Sequence, residues 1–213
     1  MSKELIQAQR DYTMLYFVKD PANLCSLTGL LASFFAIYFA VTKQHHYALA
    51  CALWAVVFDW LDGRIARRLK NRSDYHRAIG VQMDSLIDIV SFGVFPAFFL
   101  LSYGNFGPVF MPGASMIVAA AAVRLSYFNV FGMIDKNTYK GLALDNNVII
   151  LALIFILEKF LPQQSFSIFL YLALILLAVF NLAPVPTPKL GDKWLPVLFV
   201  YTLVMSVYYI IFY

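Results

Sequence analysis

Long apolar stretches dominate the chain, and seven of them approach the roughly 20 residues that a helix needs to cross a bilayer. They lie at residues 24–42, 46–68, 80–101, 112–130, 143–161, 165–182 and 194–212. The stretches are continuously apolar rather than alternating, as residues 148–157 illustrate, which argues against the strands of a membrane β-barrel. The pattern therefore predicts an all-α fold, a polytopic bundle of about seven transmembrane helices.

The first twenty residues follow a different pattern, because charged side chains interrupt the apolar ones. Apolar positions such as Leu5 and Leu15 with charges between them predict an amphipathic helix in the membrane interface, and not a signal peptide. We expect three parts in the chain: this interfacial helix at residues 1–20, a transmembrane core at 21–182, and a C-terminal loop with one additional transmembrane helix at 183–213.

Composition supports the membrane assignment. Hydrophobic residues make up 62% of the 213 residues and charged residues only 13%, whereas soluble domains are nearer half apolar and a quarter charged. This balance excludes a secreted disulfide scaffold, a disordered chain and a nucleic-acid-binding domain, so no nucleic-acid partner is expected. Cys25 and Cys51 both lie in apolar stretches and are interpreted as packing residues.

The distribution of positive charge predicts the orientation. With the N-terminus in the cytoplasm, the cytoplasmic segments hold thirteen of the sixteen Lys and Arg residues, and the outer segments hold Lys43 and Lys159. The remaining one, Arg124, lies inside a predicted helix. Cytoplasmic loops of membrane proteins carry an excess of Lys and Arg. We therefore expect an integral protein of the cytoplasmic membrane, with its N-terminus on the cytoplasmic side.

Four aspartates occupy two neighbouring predicted helices at one membrane depth, near their cytoplasmic ends. Asp59 and Asp62 lie three positions apart, and Gly80, Asp84 and Asp88 recur every four positions, so each set shares one face of its helix. Charges inside a membrane span are costly and usually mark a function. If the two faces meet, four carboxylates converge near the cytoplasmic surface, where a functional site is expected.

Two functions suit such a cluster. Divalent cations such as Mg²⁺ take oxygen ligands, so the aspartates could hold a pair of metal ions for displacement at phosphorus. The alternative is an ion- or proton-coupled membrane transporter, in which the aspartates form the pathway. A transport pathway should reach both faces of the membrane, whereas these acidic residues gather at one end. This distribution favours an enzyme.

The order of these residues resembles the signature of the CDP-alcohol phosphotransferases. Residues 59–67 read D-W-L-D-G-R-I-A-R and residues 80–88 read G-V-Q-M-D-S-L-I-D. They match the family pattern D-x-x-D-G-x-x-A-R followed by G-x-x-x-D-x-x-x-D. Twelve residues separate the two halves here, where eight are typical of the family. A cytoplasmic loop absorbs such an insertion at small entropic cost, so we expect the site to persist.

The resemblance implies a metal-dependent transfer of a phosphatidyl group from CDP-diacylglycerol to a small alcohol, with release of CMP. Two Mg²⁺ or Mn²⁺ ions would be the cofactors, and a homodimer among membrane lipids would be the working form. The metal ligands that it implies are Asp59, Asp62, Asp84 and Asp88, and Asp88 would also be the catalytic base. The residues that it implies for binding the CDP donor are Asn23, Ser26, Gly63, Ala66, Arg67 and Gly80.

A second set of residues indicates the acceptor. Residues 88–97, D-I-V-S-F-G-V-F-P-A, and residues 121–129, A-A-V-R-L-S-Y-F-N, are similar to the phosphatidylserine synthase branch of the family. The resemblance therefore implies L-serine as the acceptor. The acceptor-binding residues that it implies are Ser91, Arg124, Tyr127 and Asn129.

One position departs from that branch and leaves other acceptors open. Tyr127 stands where the branch usually has a second arginine, and arginine is the natural bidentate partner of a carboxylate. Inositol, a glycerol phosphate or an amino alcohol are therefore the alternatives. The polar residues 145–147 begin the fifth predicted helix and could bind a polyol, or an amine in the case of Asp145.

Overall fold

Nine α-helices make up most of the part of the chain that the computed structural model describes, which is residues 12–70, 72–135, 138–190 and 192–212. They are α1 (Met14–Val18), α2 (Pro21–Val41), α3 (His45–Arg68), α4 (Asp74–Asp88), α5 (Phe95–Tyr103), α6 (Met111–Phe131), α7 (Asp145–Phe155), α8 (Gln163–Leu182) and α9 (Leu195–Phe212). A π-helix spans Ile89–Val94, and short 3₁₀ helices span Pro108–Phe110, Ile156–Phe160 and Asp192–Trp194. Two short strands complete the fold, β1 (Thr138–Lys140) and β2 (Pro186–Pro188).

The predicted all-α membrane fold is confirmed, but the count of seven spans is not. Among the described residues, five segments are long and apolar enough to cross a membrane: Pro21–Val41, Asp74–Tyr103, Pro108–Phe131, Gln163–Leu182 and Asp192–Phe212. Helix α3 has 24 residues but includes histidines, aspartates and arginines, so its mean hydropathy is low. Helix α7 and the 3₁₀ helix after it comprise 11 and 5 residues, which is short of a full span.

The N-terminal part of the chain is described only in part. Residues 1–11 of the predicted interfacial helix lie outside the described residues, as does Lys136, which contributed to the charge count. Helix α1 (Met14–Val18) is short and has no buried residue. Asp20 then caps α2, since its Oδ1 accepts hydrogen bonds from the backbone N–H groups of Ala22 and Asn23 at 3.0 and 3.2 Å.

Helix α3 packs between α2 and α9 at the centre of the bundle. Small residues recur along the buried face of α2, among them Gly29, Ser33 and Ala36. A Cβ on Gly29 would lie 3.2 Å from the Cβ of Phe58, so the backbones of α2 and α3 approach closely. Close contacts at small residues are typical of helices packed in membranes. This contact holds the acidic end of α3 beside the start of α2.

A π-helix follows directly after Asp88 and links α4 to α5. Pro96 has no backbone N–H to donate to Phe92, and the N–H of Phe95 donates to Val90 O, five residues earlier. A Cβ on Gly93 would lie 2.8 Å from the Cβ of Ala121, so the π-helix presses against α6. The proline thus brings the end of α4 close to the helix that carries Arg124.

The two strands join the loop before α7 to the loop before α9, which the sequence did not predict. They pair antiparallel, with Tyr139 opposite Thr187, and Thr187 Oγ1 donates to Gly141 O at 2.6 Å. Gly141 has a φ of +78°, and a Cβ there would collide with the backbone of Asn181. This turn therefore requires glycine. We call the paired strands β1 and β2 the ribbon. The ribbon holds both loops at the end of the bundle where α3 carries its aspartates.

Candidate active site

Helices α3 and α4 bring the two halves of the sequence motif together. Asp59 on α3 and Asp84 and Asp88 on α4 each offer a carboxylate oxygen, and the three oxygens lie within 4.8 Å of one another. We call these three residues the aspartate cluster. Three of the four carboxylates that the sequence placed on two helix faces therefore lie close together.

Asp62, the fourth predicted metal ligand, lies in the same cleft as the aspartate cluster. It is buried, and its Oδ2 accepts a hydrogen bond from Ser26 Oγ on α2. Ser26 does not line the cleft and reaches it through Asp62. The bond fixes the orientation of the Asp62 carboxylate, because a buried hydroxyl and carboxylate have few other partners.

The aspartate cluster fits a divalent cation. Carboxylate oxygens are the ligands that Mg²⁺ and Mn²⁺ prefer. Asp88 Oδ1 is buried and has no hydrogen-bond partner among the described residues, and a polar atom in that state is costly. Like charges this close also disfavour one another. A bound cation would satisfy the orphaned oxygen and remove the repulsion.

The cleft around the aspartate cluster has a volume of about 220 Å³. That is many times the roughly 10–15 Å³ that one water molecule needs, so the cleft has room for a polar ligand. Its walls come from α3, α4, α6, α7 and the loops joined by the ribbon. The polar residues that line it besides the aspartate cluster and Asp62 include Arg67, Arg124, Tyr139, Asp145, Asn146 and Lys189.

Arg124 is buried at 8% exposure and lines the cleft from α6. Its Nε donates to Leu142 O at 2.6 Å, and its guanidinium carbon lies 5.8 Å from the centre of the Tyr139 ring. The Lys189 ammonium lies at an equal 5.8 Å from the same ring. Burial, and next the Asp145 carboxylate, raise the pKa of Tyr139 to about 12. The phenol is therefore neutral at physiological pH, and its ring supports two cations.

Arg67 stands at the mouth of the cleft. Its Nη2 donates to Asp192 Oδ1 at 2.5 Å, and the two side chains are 55% and 53% exposed. Exposed ion pairs contribute about 1 kcal/mol or less. The Arg67 guanidinium can therefore leave Asp192 for an incoming phosphate at small cost.

The predicted donor-binding residues divide into two groups. Gly63 and Arg67 line the cleft, whereas Ala66, Asn23 and Gly80 do not. Asn23 and Gly80 lie next to each other and both contact Arg72, whose Nη2 donates to Asn23 Oδ1 at 3.0 Å and would lie 3.0 Å from a Cβ on Gly80.

Arg72 belongs to the lengthened spacer of the motif. Its Nε also donates to Asp20 Oδ2 at 2.9 Å, and both side chains are nearly buried. The insertion therefore packs against the start of α2. Arg72 thus contacts two predicted donor-binding residues, Asn23 and Gly80, that do not line the cleft.

Of the predicted acceptor-binding residues, Arg124 alone lines the cleft. Ser91 Oγ is buried in the π-helix and lies 2.6 Å from Ser33 Oγ. Tyr127 is exposed and accepts a hydrogen bond from Lys140 Nζ at 3.1 Å. Asn129 is exposed and donates to Ser85 Oγ at 2.9 Å. The structure does not bring these three side chains into the cleft, and their role in acceptor binding stays a prediction.

Three polar residues of the cleft were missed by sequence reasoning: Tyr139, Lys189 and Asp192. They lie in the loops joined by the ribbon, so no helical period could assign them to a face. The signal available was the short segment Thr138–Lys140, whose threonine and tyrosine favour strands. Pairing with a strand that holds two prolines was not foreseeable from propensity, because proline is depleted in sheets.

Comparison with known proteins agrees with this geometry. The profile of the CDP-alcohol phosphatidyltransferase family matches residues 20–207. A CDP-diacylglycerol–serine O-phosphatidyltransferase of Helicobacter pylori strain 26695 is 28% identical over 190 residues, covering 85% of this chain and 78% of the relative. An archaetidylserine synthase of Methanothermobacter thermautotrophicus is 34% identical over 128 residues, covering 60% and 54%.

A third relative is the CDP-diacylglycerol–serine O-phosphatidyltransferase of Saccharomyces cerevisiae. It is 36% identical over 110 residues, covering 50% of this chain and 38% of the relative. The family match contains both halves of the motif, the aspartate cluster and Arg124. The alternative of a transporter is therefore dropped. The chain belongs to the CDP-alcohol phosphatidyltransferase family and is a membrane-embedded CDP-alcohol phosphotransferase.

Proposed function

We propose that the chain transfers a phosphatidyl group from CDP-diacylglycerol to the hydroxyl of L-serine, giving phosphatidylserine and CMP. One observation carries the proposal: three motif aspartates offer oxygens within 4.8 Å of one another in a cleft that also holds Arg124. A serine carboxylate needs a basic partner, and the buried Arg124 guanidinium faces the cleft. The relatives named for serine transfer support this choice of acceptor.

Divalent metal ions, Mg²⁺ or Mn²⁺, are the proposed cofactors. Asp59, Asp84 and Asp88 would hold them, with Asp62 as a further ligand, and two ions would suit four carboxylates. When bound, the ions supply positive charge that neutralises the diphosphate of the donor and the departing CMP. The protein contributes the oxygen ligands and a half-buried site in which that charge acts strongly.

Asp88 is the proposed general base. A carboxylate has two oxygens, so one oxygen of Asp88 could hold a metal ion while the other accepts the proton of the acceptor hydroxyl. The acceptor oxygen then forms a bond to the phosphorus that carries diacylglycerol. The bond between that phosphorus and the oxygen leading to CMP breaks, and CMP leaves. The acceptor attacks directly, so no enzyme nucleophile takes part.

Gly63 and Arg67 are proposed to receive the donor at the mouth of the cleft. Gly63 has no side chain, and a Cβ there would lie 3.2 Å from Arg67 Nη1, so the glycine leaves room for the guanidinium and its ligand. A planar guanidinium matches phosphate oxygens in pairs. Asn23 and Gly80, which do not line the cleft, remain predicted donor contacts.

We further propose that the cleft faces the cytoplasm, in the cytoplasmic membrane. Positive side chains surround this end of the bundle, among them Arg67, Arg68 and Lys140, and positive charge is typical of cytoplasmic loops. The lipid donor would enter from the bilayer and serine from water. The homodimer implied by the family resemblance stays a prediction, and the mass of the detergent-solubilised protein tests it.

The experiment that tests the proposed function measures CMP release by purified protein in detergent. CDP-diacylglycerol is the donor, and serine, inositol, glycerol 3-phosphate, ethanolamine and choline are the acceptors, each with Mg²⁺, Mn²⁺ or EDTA. We expect release with serine and a divalent ion, and none with EDTA. Release with another acceptor but not with serine would contradict the acceptor. Full release in EDTA would contradict the metal requirement.

A further inference from the structure

We propose that Asp145 and Arg124 together recognise a zwitterionic acceptor, with Asp145 binding its ammonium group and Arg124 its carboxylate. This inference rests on the proposed function and assigns a specificity role to Asp145. Both residues line the cleft that holds the aspartate cluster. They approach it from different helices, since Arg124 is on α6 and Asp145 is the first residue of α7.

The Asp145 carboxylate is held in place by the motif itself. Trp60, which lies between the motif aspartates of α3, donates from its indole Nε1 to Asp145 Oδ2 at 2.7 Å. The first turn of α7 also favours a negative charge, because the helix dipole is positive at that end. Trp60 therefore acts as a positioning residue, and it links the acceptor carboxylate to the helix that carries Asp59.

Asp145 is not part of the aspartate cluster. The oxygens that lie within 4.8 Å of one another belong to Asp59, Asp84 and Asp88. Asp145 also lies outside the sequence motif, residues 59–67 and 80–88, whose aspartates are the proposed metal ligands. A carboxylate that the metal site does not use is available for a positive group of the substrate.

Arg124 and Asp145 face the cleft as separate charges. The three ion pairs found among the described residues do not join them. Arg124 is held by Leu142 O and by the Tyr139 ring, and Asp145 by Trp60. Two opposite charges that line one cleft and are fixed by different partners are each available to a ligand that carries both charges.

This arrangement explains selection among small alcohols. An amino acid that bears a hydroxyl places a carboxylate against Arg124 and an ammonium against Asp145. Inositol would leave both charges without a charged partner, and Asp145 would repel an acceptor phosphate. Discrimination by an unpaired or repelled charge is an effective device for specificity. With Asp145 binding the ammonium group, Arg124 could hold the carboxylate without the second arginine, whose place Tyr127 takes in this chain.

The test combines Asp145→Asn with acceptors that lack one group of serine. These are 3-hydroxypropanoate, which lacks the amine, and ethanolamine, which lacks the carboxylate. Asparagine keeps the size of the side chain and an oxygen for the Trp60 N–H. We expect kcat/KM for serine to fall about 10- to 100-fold in Asp145→Asn, mainly through KM, because a charge-assisted hydrogen bond is lost.

The same variant should change kcat/KM for 3-hydroxypropanoate less than about threefold, since that acceptor has no amine to lose. Where an analogue is not turned over, its inhibition constant against serine replaces kcat/KM. Trp60→Phe should also lower kcat/KM for serine, but by less than Asp145→Asn. Asp74→Asn, at an exposed carboxylate outside the cleft, is the matched control. It should leave kcat/KM unchanged for every acceptor.

Equal losses for serine and 3-hydroxypropanoate would overturn the proposal, because a merely structural role for Asp145 does not distinguish the two. A wild-type enzyme that used ethanolamine and not serine would refute the proposed function. The role of Asp145 would then be tested by whether Asp145→Asn lowers kcat/KM for ethanolamine more than for ethylene glycol. A wild-type enzyme that used only acceptors without an amine would refute both the proposed function and the role of Asp145.

Discussion

The two ends of α3 differ in how their polar side chains are bonded. At the N-terminal end, His45 Nε2 lies 3.1 Å from Ser102 Oγ, and Ser102 Oγ donates to Ala40 O. The His45 ring packs against Phe99 with their centroids 5.3 Å apart. At the other end, the three oxygens of the aspartate cluster lie within 4.8 Å of one another, and one buried oxygen of Asp88 has no hydrogen-bond partner in the described part of the chain.

This difference suggests that the N-terminal end of α3 contributes to stability and the acidic end to the proposed chemistry. Paired polar groups and packed rings hold a single arrangement, whereas unpaired buried groups raise the energy of the protein until a ligand satisfies them. Fourteen positions separate His45 from Asp59 along α3, which is about 21 Å at the rise of an α-helix. The packed end can therefore anchor the helix, while the acidic end is left for the proposed binding of ions and substrates.

The comparison is tested most severely by Asp88→Asn. We expect CMP release to fall at least about 100-fold, because the variant lacks the proposed base and a metal ligand. Thermal unfolding in EDTA should occur at the same temperature as in the wild type or higher, since one of three repelling carboxylates is gone. A variant that kept substantial activity, or that unfolded much earlier without metal, would contradict the assignment of chemistry to this end.

The next largest effect concerns the opposite end. Phe99→Ala should lower the free energy of unfolding by about 3 kcal/mol, because the fully buried ring leaves a cavity beside His45 and Phe155. Reversible unfolding in mixed micelles measures this loss. The fraction that stays folded should release CMP with nearly wild-type kcat. A large fall in kcat at unchanged stability would show that the two ends are coupled.

A smaller effect is expected at the mouth of the cleft. Asp192→Asn removes the exposed partner of Arg67, so stability should change by no more than about 1 kcal/mol. The KM for CDP-diacylglycerol should fall about two- to fivefold, because Arg67 no longer exchanges one anion for another. Asp74→Asn, which removes the carboxylate 3.6 Å from Arg77, is the control and should leave this KM unchanged. A raised KM in Asp192→Asn would mean that Asp192 positions Arg67 for the donor.

The smallest effect is expected for Tyr127→Phe. Tyr127 is exposed, does not line the cleft and bonds to Lys140. Loss of its hydroxyl should change the KM for serine less than about twofold, as is usual for surface substitutions. Steady-state CMP release over a serine titration measures this. A tenfold rise in KM would instead support the acceptor role predicted from the sequence and would place Tyr127 in the cleft during turnover.

Much of the fold and of the aspartate cluster was predictable because both depend on local periods. Apolar stretches long enough for helices predicted the membrane fold, and the spacing of Asp59, Asp84 and Asp88 predicted a shared helix face. The count of spans was less certain, because α3 and α7 are central helices whose polarity or length departs from that of a lipid-facing span. Burial by neighbouring helices permits this, and hydropathy alone does not report it.

The contacts of individual side chains were harder to predict. Arg72 reaches Asn23 and Asp20 across 49 and 52 positions, and Trp60 reaches Asp145 across 85. No local pattern encodes such a distance in sequence. These contacts join loop and helix ends that are far apart in the chain.

By itself the sequence determined the membrane environment, the family motif and the faces of α3 and α4 that carry carboxylates. These properties follow from hydrophobicity and from the 3.6-residue period of the helix. Tertiary structure alone decided that Tyr139, in β1, and Lys189, directly after β2, line the cleft, and that Asp145 and Arg124 line the same cleft. The physical reason is that these positions are set by packing between segments distant in the chain, where shape and charge meet only after the helices have assembled.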